Sequence, residues 1–184
     1  MSSIALQKPR LSVKAQTAAA AAAVVGAVAL PQVFHVLGAL SGLGTALGEI
    51  LLPMHLPIML VGLLAGPYAG AVAGLLAPAV SFGLTAMPGA AMLPFMMIEL
   101  CVYGLFAGLL RNVNAPTLAK VIAVQVGGRA VRAAAILLAV NVLHISKLPV
   151  SVILTSIKTG AFGLALQWVL LPLLVFWAES ADRK

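Results

Sequence analysis

Apolar residues run along this chain in blocks of membrane-crossing length, divided by short stretches of glycine, proline and charge. The first block covers about Ala15 to Leu37, and Pro31 is expected to bend its far end. It is followed by GALSGLGTALGEILLPMH, Gly38 to His55, too glycine-rich for a clear crossing and too apolar for a free loop. Irregular backbone at membrane depth is tolerated only where protein buries it or where it lines a cavity. The segment is therefore a candidate binding loop. A short second block starts near Leu56 and stops at Gly66-Pro67, and a third runs from about Tyr68 to Thr85. After the turn Met87-Pro88-Gly89 a fourth covers about Ala91 to Leu110, and the stretch Arg111 to Pro116 is polar. The fifth and sixth blocks are roughly Leu118 to Leu143 and Val150 to Trp177. A crossing helix needs about 20 mainly apolar residues, so six short-looped helices fit and a second, soluble domain does not.

Composition fixes the solvent. The 184 residues are 62% hydrophobic and 8% charged, with a mean hydropathy of +1.14, against roughly 45–50% apolar and about 25% charged in soluble domains. The expected fold is all-α: one domain over residues 1–184, a polytopic membrane protein of six transmembrane helices in a compact bundle. Residues 1–14 would form a cytoplasmic N-terminal segment. The opening MSSIALQKPRLSVK and its alanine run superficially fit a signal peptide. The apolar run nevertheless reaches full spanning length and leads into more membrane sequence, so it is read as the first helix.

The net charge of +7 belongs mostly to residues flanking the apolar blocks. It points to topology signals and anionic headgroups, and away from nucleic acid. With both termini cytoplasmic, Lys8, Arg10, Lys14, Arg111, Lys120, Arg183 and Lys184 fall inside and only Lys147 outside. That asymmetry favours an even number of crossings. Cys101 is the only cysteine, so neither an internal disulfide nor a thiolate metal cluster can form.

Four ionisable residues fall within the blocks: Glu99 in the fourth, Arg129 and Arg132 in the fifth, Lys158 in the sixth. A charge at a helix centre costs roughly 2.5–3.5 kcal/mol, so these groups should face one another or a wet cavity. Counted from the outer helix ends, Glu99, Arg132 and Lys158 share one layer roughly 12–15 Å down. Two readings stay open. One is a structural charge network holding helices together; the other is a basic pocket in which Arg132 and Lys158 receive an anionic or polar solute and Glu99 orients them. The excess of cations favours the pocket. Arg129, one turn from Arg132 on the same face, could equally meet a partner or turn inward. His55, at the start of the second block, has either a binding or an interfacial capping role. His35 and His144 are expected at the interface.

No Ser-His-Asp set, HExxH, close carboxylate pair or thiol nucleophile is present, so an enzyme is the weaker class. Without a GxxxxGK[ST] loop, any ATP that energises transport is hydrolysed by another chain, and no cofactor or metal is expected here. Small residues at four-residue spacing in the first helix, Ala15-Ala19-Ala23 and Ala18-Ala22-Gly26, make a strip for close helix packing.

The stretch Leu51 to Leu110, with its LPMH and ELCVYGLFAGLL, resembles substrate-binding S components of energy-coupling factor vitamin transporters. GGRAVR in the fifth block, KTGAFGLALQWVLLPLLVF in the sixth and the alanine-rich first helix are similar to the corresponding family helices. The resemblance implies a six-helix bundle in a prokaryotic cell membrane that captures a vitamin-like solute near the outer face. It implies as partners a membrane coupling subunit and two cytoplasmic ATPases, docked on the alanine strip, and toppling to release the cargo inward. Carried over onto this sequence, Glu49, Met54 and His55 belong to a lid, and Glu99, Tyr103, Arg129, Arg132 and Lys158 to the pocket. Pantothenate is the best-fitting solute, with folate, niacin or another small vitamin open. Few aromatics are available, Tyr103 and Phe95 being nearest, which disfavours flat stacking substrates. The competing classes are a self-sufficient ion-coupled secondary transporter and a membrane scaffold whose charges only join helices.

Overall fold

The computed structural model describes residues 11–144 and 149–181. Lys8, Arg10, Lys147, Arg183 and Lys184, which carry most of the charge count for sidedness, lie outside the described residues, as does most of the 1–14 segment. The described chain is helical: α1 (Val13–Leu40), α2 (Ala46–Leu51), α3 (His55–Ala65), α4 (Pro67–Thr85), α5 (Leu93–Leu110), α6 (Thr117–Asn141) and α7 (Val152–Ala181). With α2 and α3 taken as one interrupted element, Ala46–Ala65, six helices are long and apolar enough to cross a membrane.

Three boundaries differ from expectation. α1 starts at Val13, where Ser12 caps it by accepting the Ala15 N–H at 3.2 Å, and it continues past Pro31 to Leu40 without a break in the helix. The glycine-rich segment is a loop only around residues 41–45; its second half is α2, the first part of the second crossing. What separates α2 from α3 is Leu52, in the left-handed region at φ 50 and ψ 48, followed by Pro53. A branched residue there costs roughly 1–2 kcal/mol, so the break is held from outside. The Leu52 carbonyl accepts the His55 N–H at 3.1 Å and Gln167 Nε2 of α7 at 3.2 Å.

Glycine sets the tightest packing. A Cβ on Gly70 or Gly74 of α4 would run into the α5 backbone at Gly104 or Leu100, and one on Gly108 would strike Pro67. Gly62 lets α3 join the same seam against Gly104. Fully buried Ala69, Ala73, Ala77 and Ala107, with Ile58, Met59 and Leu100, fill the rest of this core. A smaller cluster, Phe95, Ile136 and Ala139, closes the α5–α6 side. The outward faces are apolar as well: Val25, Val33 and Val36 on α1, and Phe162, Val169, Leu173, Phe176 and Trp177 on α7, are exposed. A contiguous apolar exterior of this kind is unfavourable in water and suits hydrocarbon.

Candidate functional site

Every helix contributes to one cavity of about 390 Å³, within the range of small-molecule sites. α1 supplies Pro31 and His35, α2 supplies Gly48 and Glu49, and the break supplies Leu52, Pro53 and Met54. His55 of α3, Ser81 of α4 and the connection Met87, Pro88, Gly89 and Met92 continue the wall. Met96 and Glu99 of α5, Arg129 and Arg132 of α6, and Val152, Thr155, Ser156 and Thr159 of α7 complete it.

Close approach at glycine brings the lid side in. Gly48 packs beneath the His35 ring, Gly163 of α7 lies against the Ile50 and Leu51 backbone, and Gly160 faces Leu52 and Arg129. A side chain at Gly163 would run into the Ile50–Leu51 backbone and push α2 from α7, while one at Gly48 or Gly160 would displace the side chains of His35, Leu52 or Arg129.

Glu99 is 1% exposed and is the electrostatic centre. Arg132 Nη1 donates to its Oε2 at 3.0 Å, and Arg129 Nε stands 3.2 Å from Oε1. The Arg129 Nε–H is not aimed at that oxygen, so this contact is a charge pairing and the Arg132 contact a hydrogen bond. Tyr103 Oη donates to Oε1 at 3.3 Å. Its ring has room because Gly128 of α6 has no Cβ to meet it. Arg132 Nη2 donates to Met92 Sδ at 3.5 Å, and Arg129 Nη1 reaches the Ser156 carbonyl at 3.5 Å. The guanidinium groups of buried Arg132 and half-buried Arg129 thus share one buried carboxylate, leaving one positive charge in excess, while Glu49 carries its charge at the exposed edge of the cavity. Such charges are stable at low dielectric only when paired and hydrogen-bonded.

Of the expected site residues, Glu49, Met54, His55, Glu99, Arg129 and Arg132 all line the cavity. Tyr103 does not; it lies fully buried behind the wall, holding Glu99, with its ring 5.3 Å from that of His55. Phe95 sits in the smaller cluster. Lys158 requires a correction: it is exposed and lines none of the cavity. α7 turns Val152, Thr155, Ser156 and Thr159 inward, and at 3.6 residues per turn Lys158 points roughly 100° away from that face. His35 is also not merely interfacial, since its half-buried ring lines the cavity with Nδ1 unpartnered. His144 is exposed. On α1, Ala15, Ala18 and Ala22 are exposed, Ala19 is half-buried and Ala23 is turned into the bundle.

A neutral network beside the cavity escaped the reading of charges. Gln125 Nε2 of α6 donates to Gln167 Oε1 at 3.0 Å, Trp168 Nε1 donates to Gln125 Oε1 at 2.7 Å, and Gln167 Nε2 reaches the Leu52 carbonyl. Both glutamines are buried. The signal was present: two amides inside apolar blocks, each needing a partner. Among the described residues no group of three or more metal-ligating side chains lies together. Comparison with protein-family models, curated proteins and solved structures yields no match to this chain.

Proposed function

We propose that this chain is a multi-pass protein of a prokaryotic cell membrane and the solute-binding S component of an energy-coupling factor importer, taking a small, vitamin-like anion. The observation that carries this reading is the half-open cavity of about 390 Å³ in which buried Arg132 and half-buried Arg129 share one buried carboxylate, Glu99. A ligand carboxylate would neutralise the surplus charge, and the four methionines Met54, Met87, Met92 and Met96 on the wall supply adaptable apolar contact. Among the described lining residues there is no Phe, Tyr or Trp, and the only rings are the small imidazoles of His35 and His55; this favours an aliphatic solute, and pantothenate is the first to try. Six crossings would return both ends of the chain to one side, the cytoplasmic side in this reading. ATP would be used by two cytoplasmic ATPases acting through a membrane coupling subunit, with exposed Ala15, Ala18 and Ala22 as the docking edge of α1.

The test is equilibrium binding to purified protein in detergent without ATP. Pantothenate or another small carboxylate binds, and Arg132→Ala weakens it more than tenfold. Gradient-driven uptake into liposomes by this chain alone would instead make it a secondary transporter. Co-purification with a partner and no binding of any small acid would make the charges helix glue.

A further inference from the structure

The cavity wall offers more hydrogen-bonding capacity than the protein uses. His55 is 2% exposed; neither Nδ1 nor Nε2 makes a well-aligned hydrogen bond, although the ring approaches the Leu52 backbone. Its ring leans on Tyr103 at 60°, a contact that offers the nitrogens no strong hydrogen bond. Buried polar groups in folded proteins nearly always have partners, so an imidazole on a cavity wall with at most one nitrogen turned to the Leu52 backbone marks a place where a ligand supplies the other. Arg129 Nη2 and Arg132 Nε are also buried without a partner. The two sets differ in kind. The guanidinium groups only donate, whereas an uncharged imidazole offers one donor and one acceptor. A carboxylate suits the first; a hydroxyl or amide, able to give and to take, suits the second. A metal cation on His55 is disfavoured, because Arg129 and Arg132 share the cavity and no cluster of ligating side chains accompanies it among the described residues.

We infer that the cargo is an aliphatic acid bearing a neutral hydroxyl or amide group, with its carboxylate at Arg129 and Arg132 and that neutral group read by His55. This rests on the proposed solute-binding role and adds a second, uncharged anchor that sets specificity. A site built around buried hydrogen-bonding groups rejects an analogue that lacks the matching group, because its own atoms are then left unpaired. An unfunctionalised acid of the same length therefore binds weakly.

The experiment uses the full chain in detergent micelles with two probes, pantothenate and nonanoate, titrated calorimetrically. Wild type prefers pantothenate by at least tenfold. His55→Leu reduces that preference below threefold and leaves nonanoate within twofold, while His55→Gln, which keeps a donor and an acceptor, retains at least threefold. Equal weakening of both probes by His55→Leu, or an unchanged preference, overturns the inference and leaves the solute-binding role standing. Failure of every small acid to bind wild type removes that role and the inference with it. Mass spectrometry of the molecule extracted from wild type supplies a check independent of any variant. An acid with a hydroxyl or amide is expected, and one with a bare hydrocarbon chain would overturn the proposal.

Discussion

The α4–α5 seam and the α6–α7 side of this bundle are held together by different physics. Along α4 and α5, Gly70, Gly74, Gly104 and Gly108 bring backbone onto backbone, and what fills the space is alanine, isoleucine, methionine and leucine. Across α6 and α7 the contacts are polar: Gln125 to Gln167, Trp168 to Gln125, and Arg129 to the Ser156 carbonyl. Small residues make contacts that need no ligand, whereas the polar side leaves atoms of Arg129 and Arg132 unmatched, beside the imidazole of His55 on α3. The dry seam is a scaffold. On the proposed reading, the polar side is where a guest would complete the structure.

The largest expected effect falls where the two regions meet. Glu99→Ala strands Arg129 and Arg132 without a counter-charge and should cost about 3–5 kcal/mol, seen as a fall in thermal midpoint in detergent; a midpoint unchanged within error would show that the pairing is not structural. Next comes the seam itself. Gly104→Val places atoms into the Gly70 backbone and should destabilise by about 1–3 kcal/mol, yet the protein that still folds should bind solute within twofold of wild type. A tenfold loss of affinity there would erase the distinction between scaffold and site.

Gln167→Leu sharpens the comparison from the other side. It removes the donor to the Leu52 carbonyl and the acceptor for Gln125, a loss of roughly 1 kcal/mol in stability. Because Leu52 lines the cavity, solute affinity should fall by more than the stability change alone would imply. Stability loss with unaltered binding would mean that the α2–α3 break does not shape the site. The smallest effect belongs to Lys158→Ala, which should leave affinity within twofold because the side chain is exposed and off the cavity; a tenfold loss would return it to the site.

How much of this was legible in sequence follows the same division. The six apolar blocks were readable because crossing length is a strong constraint, and Glu99 with Arg132 because a charge among apolar residues is costly enough to need a reason. The second crossing was read as loop plus short helix: the left-handed Leu52 and Pro53 split it, and Gly38, Gly42 and Gly44 just before it, with Gly48 inside it, gave its first half the look of a loop. Lys158 was misplaced because α7 is apolar on its exposed and buried faces alike, as Phe162 and Leu171 illustrate, so periodicity does not say which way a charge points. Gln125, Gln167 and the donors of Thr155 and Thr159 carry no charge and were passed over, although a buried amide needs partners as surely as a buried charge does. His35 was expected at the interface because no Asp or His stands near it at metal-ligand spacing; its place on the cavity depends on its packing against Gly48, in another element.

The central claim is that the cavity binds a small anion through Arg129 and Arg132, and native mass spectrometry of the purified chain without ATP tests it most directly. The account predicts one small acid bound per chain in wild type, lost from Arg129→Ala and Arg132→Ala proteins that remain folded. An empty wild-type protein across a panel of small carboxylates, or undiminished occupancy in both variants, would contradict it.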